Sequence, residues 1–394
     1  MNEFKQHAQY LIAQRDFVGL DKFLMQPPDG CGQLAAELAL LSLVEQGRSF
    51  EQLEAPLDQY LGKYLDSVPV SNLEMAAQLK FRLKKFDDAV RYAGMVLDKK
   101  DDLEIAEIAA ISLFNLERNK MGSRLVEQLI NTKSSDIKYY EWNILFKFKL
   151  EEYQAVLENW EKIQSNGAEF SQKNSVLVFV IRSYIYCGLI EKARNLSIVY
   201  ELDKQSDDIE IGLMLAELAK AQDDFDTAEK ILRNLVKHHP DVPECKWNLS
   251  LILLRQGKLK EGWRLYEIRW DWSKFPSSPR KFDAARWDGK ESLAHKKILI
   301  WGEQGIGDQL RFLTLLPNLI HCNPEAQITL ECDLKINRLV KVWYPGITVQ
   351  PFGMNDTTGL TEYSHFDYQY PSGSLPQLYF NSQALIRRSK FRRL

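Results

Sequence analysis

The sequence predicts a mainly α protein, a solenoid of stacked helical hairpins followed by a small α/β unit on a parallel sheet of about four strands. Three observations lead there. A unit recurs at close to 34-residue spacing through the first two thirds of the chain. An interval dense in tryptophan, proline and serine then breaks the pattern. After it, strand-like and helix-like apolar runs alternate.

The recurring unit has a polar turn, an aromatic or aliphatic marker, and a small or apolar residue shortly after it. Examples are "KKFDDAVRYA", "EEYQAVLENW" and "DDFDTAEKIL". The markers are Phe17, Phe50, Phe86, Lys120, Tyr153, Ile190, Phe225 and Leu259, spaced 33, 36, 34, 33, 37, 35 and 34 residues apart. That is the tetratricopeptide period. Each unit reads as a helical hairpin that cannot bury its apolar face alone, so neighbours stack into a solenoid over residues 1–270. The small residues Ala89, Ser123, Ala155, Ala193, Ala228 and Gly262 mark where paired helices approach. The last two units, "FDTAEKILRNLVKHHPDVPE" and "KWNLSLILLRQGKLKEGWRLYE", resemble the tetratricopeptide consensus best; the first two diverge most.

Such arrays bind a protein or peptide partner along a concave face, and that is the partner expected here. An asparagine ladder gripping a peptide backbone is not expected. Asn143 and Asn248 precede their markers by ten or eleven residues, but Met75, Ala109, Phe179 and Met214 hold the analogous places.

Composition narrows the alternatives. With 51 basic and 54 acidic side chains the net charge is −3, which recruits neither nucleic acid nor an anionic membrane. The longest apolar run, Val176–Ile181, stops at Arg182, far short of the ~18 residues that span a bilayer. The N-terminus carries charges among its apolar positions and has no signal-peptide pattern. Five scattered cysteines without a CxxC, and dispersed histidines, predict a reducing, cytoplasmic setting with no disulfide framework and no metal site.

Residues 271–295 form the junction. Six of the nine tryptophans (247, 263, 270, 272, 287 and 301) lie in and around it. Trp263, Tyr266 and Trp270 recur at helical spacing, so these rings are expected to pack the last hairpin against the next domain rather than to stack on a sugar. Over residues 296–376 the strands read as Lys297–Trp301, Gln327–Cys332, Ile347–Pro351 and Phe366–Tyr370. Helices read as Asp308–Ile320 and Leu334–Val342. Alternation of this kind implies right-handed crossovers and a Rossmann-like half-domain, with ligands bound at the carboxyl ends of the strands.

The loop Gly302–Gly307 occupies such an end. It has the glycine spacing of a Walker A loop, but Asp308 replaces the lysine and Gln309 the hydroxyl residue, so a β/γ-phosphate would be repelled. Read as GxGxxG, the loop fails at Leu310. No cofactor is expected.

The stretch "WGEQGIGDQLRFLTLLPNL" resembles the first strand–loop–helix of GT-B glycosyltransferases of family 9. There a Gly-Asp pair opens a helix that ends in an apolar-Pro turn, here Gly307-Asp308 and Leu316-Pro317-Asn318. Bacterial proteins joining tetratricopeptide repeats to such a domain are similar over roughly residues 245–376, including "EGWRLYEIRW", "RWDGK" and "FDYQYPSGSLP". The resemblance implies that Asp308 is a general base, deprotonating an acceptor hydroxyl that attacks a nucleotide sugar. It also implies a substrate loop of Gly302, Glu303, Gln304, Gly305, Gly307 and Gln309. The competing reading is architectural: Asp308 caps the helix and the glycines make a tight turn. A GT-B enzyme binds its donor chiefly through a second half-domain with no counterpart here, so the domain is expected to be truncated and inactive alone. The alternative is sugar transfer to a protein or cell-surface glycan. Residues 377–394 read as a tail rich in Arg387, Arg388, Lys390, Arg392 and Arg393.

Overall fold

The computed structural model describes residues 2–132, 136–166, 173–352 and 365–381. The chain divides after Cys187 into two compact units, residues 1–187 and 188–394.

The N-terminal unit holds α1 (Asn2–Ala13), α2 (Phe17–Leu24), α3 (Gly32–Glu45), α4 (Phe50–Tyr64), α5 (Val70–Arg82), α6 (Phe86–Leu97), α7 (Leu103–Asn115), α8 (Asn119–Thr132), α9 (Ile137–Lys149), α10 (Tyr153–Asn166) and α11 (Lys173–Tyr186). Phe17, Phe50, Phe86 and Tyr153 are each the first residue of a hairpin's second helix. The fourth marker shifts by one, because α8 begins at Asn119 rather than Lys120. A tight turn sets this register. Two residues before the helix start, Arg15, Lys84, Glu117 and Glu151 adopt left-handed backbone with φ of 55–60°. Aspartates then accept hydrogen bonds from backbone N–H groups at the starts of α2, α7 and α9 (Asp16, Asp102 and Asp136).

The close-approach positions also move in two hairpins. Ala89 is fully buried, as expected. In the fourth hairpin Gly122 sits at that place, where a Cβ would lie 2.2 Å from the Phe146 ring. In the fifth, the fully buried residue is Val156 rather than Ala155. The divergent first pairs carry Leu20 and Leu53 at the equivalent position, both buried. A leucine in place of the small residue is one departure of these two pairs from the consensus.

Charge clamps recur at one register. Lys80, six residues before Phe86, is buried and pairs with Glu54 and Asp58 of α4, each at 2.7 Å. Lys147, six before Tyr153, pairs with Glu127 at 2.8 Å and Glu152 at 2.7 Å. Asn143 lies inside the packing: it donates to Asn159 at 3.1 Å and is 4% exposed, so it faces no groove.

The C-terminal unit opens with α12 (Ile190–Val199), α13 (Ile209–Ala221), α14 (Phe225–His238), α15 (Pro243–Arg255) and α16 (Leu259–Tyr266). Ile190 starts α12, and Phe225 and Leu259 again start the second helices of their hairpins. Gly257, at φ 75°, makes the turn before α16. The α/β part comprises β1 (Ala285–Arg286), β2 (Lys297–Trp301), α17 (Ile306–Leu313), α18 (Leu316–Cys322), β3 (Gln327–Asp333), α19 (Leu334–Trp343), β4 (Thr348–Phe352), β5 (Tyr368–Pro371) and α20 (Leu375–Asn381). The sheet is wholly parallel, in the order β1-β5-β2-β3-β4.

Several local expectations change. Among the described residues the sheet has five strands, because Ala285–Arg286, read as junction, pairs with β5. The single helix expected over Asp308–Ile320 is two helices, and Leu316-Pro317-Asn318 begins the second rather than ending the first. Proline tolerates a first turn, where its missing N–H is no loss. Residues 377–381 belong to α20. The basic residues Arg387, Arg388, Lys390, Arg392 and Arg393 lie outside the described residues.

Strand alternation separates two cores. Ile298 and Ile300 of β2 face α17–α20, with Leu313, Leu319, Ile328, Leu330 and Val340. Leu299 and Trp301 point the other way, against Trp270, Phe282 and Phe366. One face is thus covered by helices and the other by the aromatic junction. The tryptophans pack as the helical spacing predicts: Trp270 lies 5.4 Å from Trp301, and Trp263 lies 6.3 Å from Phe312 of α17.

Candidate functional site

In this sheet the strand order reverses at β2, whose neighbours are β3 on one side and β5 on the other. The crevice between the carboxyl ends of β2 and β5 is where a parallel sheet offers a ligand site. Its walls are the loop after β2, Gly302–Gly305, and the turn Ser372–Ser374 after β5.

Arg269, which follows α16, fills the crevice. Its guanidinium is fully buried. Nε donates to Glu303 Oε2 at 2.9 Å and Nη2 to Glu303 Oε1 at 2.8 Å, a two-point fork. Nη1 donates to Glu267 Oε1 at 2.8 Å, and Nη2 also reaches Ser374 Oγ at 2.8 Å. The cation lies 4.4 Å from the Trp270 ring centre. Glu303, 1% exposed, also accepts the Gly373 N–H at 2.7 Å. Glycine is required at 373, since a Cβ there would fall 2.3 Å from the Glu303 carboxylate. Arg286 extends the chain outward, donating to Glu267 and to Ser374 Oγ.

The other polar residues of the glycine loop are also engaged. Gln304 has left-handed backbone, φ 62°, and its Nε2 donates to the Tyr266 hydroxyl at 2.8 Å. Gln309 braces two strand ends: its Nε2 donates to the Gln304 carbonyl at 3.2 Å and its Oε1 accepts the Asp333 N–H at 2.9 Å. Gly302 allows close approach to the Glu331 carbonyl, which a Cβ would meet at 3.1 Å. Gly305 is the N-cap residue of α17, and Gly305 and Gly307 are exposed. Asp308 is therefore not the N-cap. It sits in the first turn, half-buried, with no hydrogen bond or ion pair among the described residues.

Four segments singled out by resemblance thus meet in one network: Tyr266, Glu267 and Arg269 from "EGWRLYEIRW", Arg286 from "RWDGK", Glu303 and Gln304 from the glycine loop, and Gly373 and Ser374 from "FDYQYPSGSLP". The central arginine was not foreseen. Its signal was a charge inside an otherwise aromatic helical stripe. Beside the network an open cleft of about 610 Å³ is lined by Arg286–Lys290, Tyr370 and Leu378. In the N-terminal unit a cleft of about 360 Å³ is lined by Ala35, Ala36, Ala39, Tyr60, Lys63 and Tyr64, among others. No histidine, cysteine and carboxylate group suited to a metal occurs among the described residues. No described helix is long and apolar enough to cross a membrane.

Burial tunes the network's acids and bases. It pushes the Tyr266 phenol up to about 12, against the smaller opposing effect of the Gln304 hydrogen bond. Burial also acts to raise Glu267, but the Arg269 charge, hydrogen bonds from Arg269 and Ser374, and Arg286 outweigh it and lower its pKa. An unfolded phenol loses its proton near pH ~10, whereas the folded one keeps it to about 12. The folded state then binds more protons between those values, so this contribution is complete below ~10 and is lost as pH rises toward 12. For Glu267 the sign reverses: its contribution is present above ~4.3 and is lost as pH falls through the depressed folded value. Unfolding followed by tryptophan fluorescence against pH is expected to show an alkaline loss that Tyr266→Phe reduces. An unchanged alkaline limb in that variant would contradict this assignment.

No family model matches the chain. Protein FlbA of Caulobacter vibrioides is 26% identical over 162 residues, 38% of this chain and 27% of FlbA, so the match spans about a quarter of that relative's length. A tetratricopeptide repeat protein from Parabacteroides merdae is similar at 11% identity and TM-score 0.37, covering 64% of this chain and 98% of that one. The C-terminal part of a TPR repeat-containing protein from Cytophaga hutchinsonii gives 12%, 0.39, 62% and 99% for the same measures. At these scores the assignment to tetratricopeptide-type hairpins rests on the helices and their 34-residue register rather than on the likeness.

Proposed function

We propose that the protein is an interaction scaffold whose tetratricopeptide-type array takes a protein or peptide partner on its concave face. In this reading the α/β unit, similar to the acceptor half of a family 9 glycosyltransferase, is a docking module that does not catalyse alone. The observation that carries it is the state of the β2–β5 crevice. Arg269 fills that crevice, and Glu303, Gln304 and Gln309 are spent on bonds within the fold. The cation in that crevice, Arg269, is already paired with Glu303 and Glu267, so a donor phosphate approaching it would have to displace a buried carboxylate. The alanine-floored cleft in the N-terminal unit, with Lys63 and Tyr64 among its lining residues, supports a peptide-binding role for the repeats.

One observation favours a second reading, sugar transfer from a nucleotide sugar. Among the loop's polar side chains Asp308 alone makes no hydrogen bond or ion pair among the described residues. It lies at the carboxyl end of β2, where a general base would stand. Incubating the full chain with nucleotide sugars and following donor hydrolysis or transfer separates the two. The scaffold reading expects no turnover and no difference between wild type and Asp308→Asn. Turnover that falls at least a hundredfold in Asp308→Asn would establish the second reading.

A further inference from the structure

Helix α19 exposes an apolar surface that the fold does not use. Its inward side, Ile336, Asn337 and Val340, packs on the sheet. Its outward side carries four large apolar residues: Leu334 is 69% exposed, Leu339 44%, Val342 73% and Trp343 51%. Single exposed apolar residues need no explanation, but four on one ten-residue helix mark a contact surface. The same side holds Lys335, Arg338 and Lys341, all exposed, with no carboxylate between them and no ion pair among the described residues.

The order round the helix says what fits. At 3.6 residues per turn the exposed arc reads Lys341, Leu334, Arg338, Val342, Lys335, Leu339, Trp343. Cations alternate with apolar side chains instead of gathering on one side. A helix that lies in a lipid interface needs the two segregated, so that the apolar side sinks while the cations stay at the headgroups. An interleaved face suits a partner helix that offers apolar knobs flanked by carboxylates, each cation meeting an acid as each apolar residue is covered.

We propose that the outward face of α19 docks an acidic amphipathic helix of a partner protein, a second interaction surface separate from the repeats. The test uses the full chain and three probes. These are a fluorescent helical peptide with leucines on one side flanked by glutamates, the same peptide with glutamine for glutamate, and phosphatidylglycerol vesicles. The wild type is expected to bind the acidic peptide at least tenfold more tightly than the glutamine version, with affinity falling as salt rises. Lys335→Glu/Arg338→Glu/Lys341→Glu is expected to lose at least tenfold, and Leu339→Ser/Val342→Ser a similar amount. All five positions are exposed, and unchanged circular dichroism shows that each variant folds. Equal affinity for the two peptides, no binding of the acidic one, or binding of the vesicles alone would each overturn the proposal.

Discussion

Replacing Arg269 by alanine is expected to destabilise the C-terminal unit by about 3–5 kcal/mol, because it strands buried carboxylates rather than merely removing a bond. Both members of the Arg269–Glu303 pair have fully buried side chains, and Glu267 is 18% exposed. Without the guanidinium, the Gly373 N–H is the one donor left to Glu303 among the described residues, and its carboxylate is stranded in a dry site. Arg269→Lys should also fail, since an ammonium cannot reproduce a fork that reaches Glu303 twice while touching Glu267 and Ser374. Arg269→Met combined with Glu303→Gln should lose less than Arg269→Ala alone, because no unpaired charge is left at position 303. Urea unfolding of the four proteins checks this. A loss below ~1 kcal/mol for Arg269→Ala would mean that the guanidinium is solvated and the crevice open.

The second large effect concerns Gly122. Replacing a glycine inside a helix by alanine ordinarily stabilises by roughly 0.5–1 kcal/mol. Here the sign is expected to invert. The added Cβ would stand 2.2 Å from the ring of Phe146, which is itself fully buried, so the ring must move or the helices must part. Overpacking of this kind costs about 1–3 kcal/mol, and Gly122→Val, larger and β-branched, should reach the upper end. Gly94, also within a helix but with open space at its Cβ, is the control, and Gly94→Ala should follow the ordinary rule. Thermal unfolding of the three variants decides it. A stabilising Gly122→Ala would place the α8–α9 contact elsewhere.

What the sequence revealed depended on how local the cause was. The repeat was legible because each hairpin is set by its own turn: the marker is the first residue after a tight left-handed corner, and that corner recurs. The shift from Lys120 to Asn119 and from Ser123 to Gly122 was not legible, because "NKMGS" offers two small residues in succession. Only the Phe146 ring, supplied by the next hairpin, selects between them. The strands over 297–301 and 327–332 were legible as short apolar runs. The two-residue β1 was not, since its place beside β5 is a tertiary fact. The glycine loop was located, but whether its polar residues serve a ligand or the fold stayed open between two readings. Their partners Tyr266, Arg269 and Gly373 lie up to 70 residues away in the chain, beyond any local pattern.

The most direct test of the central claim is calorimetric titration of the full chain with UDP, GDP and ADP. A crevice already filled by Arg269 and Glu303 predicts no saturable heat up to millimolar nucleotide. Saturable micromolar binding of any of the three, weakened by Asp308→Asn, would contradict it and make the α/β unit a nucleotide-sugar site.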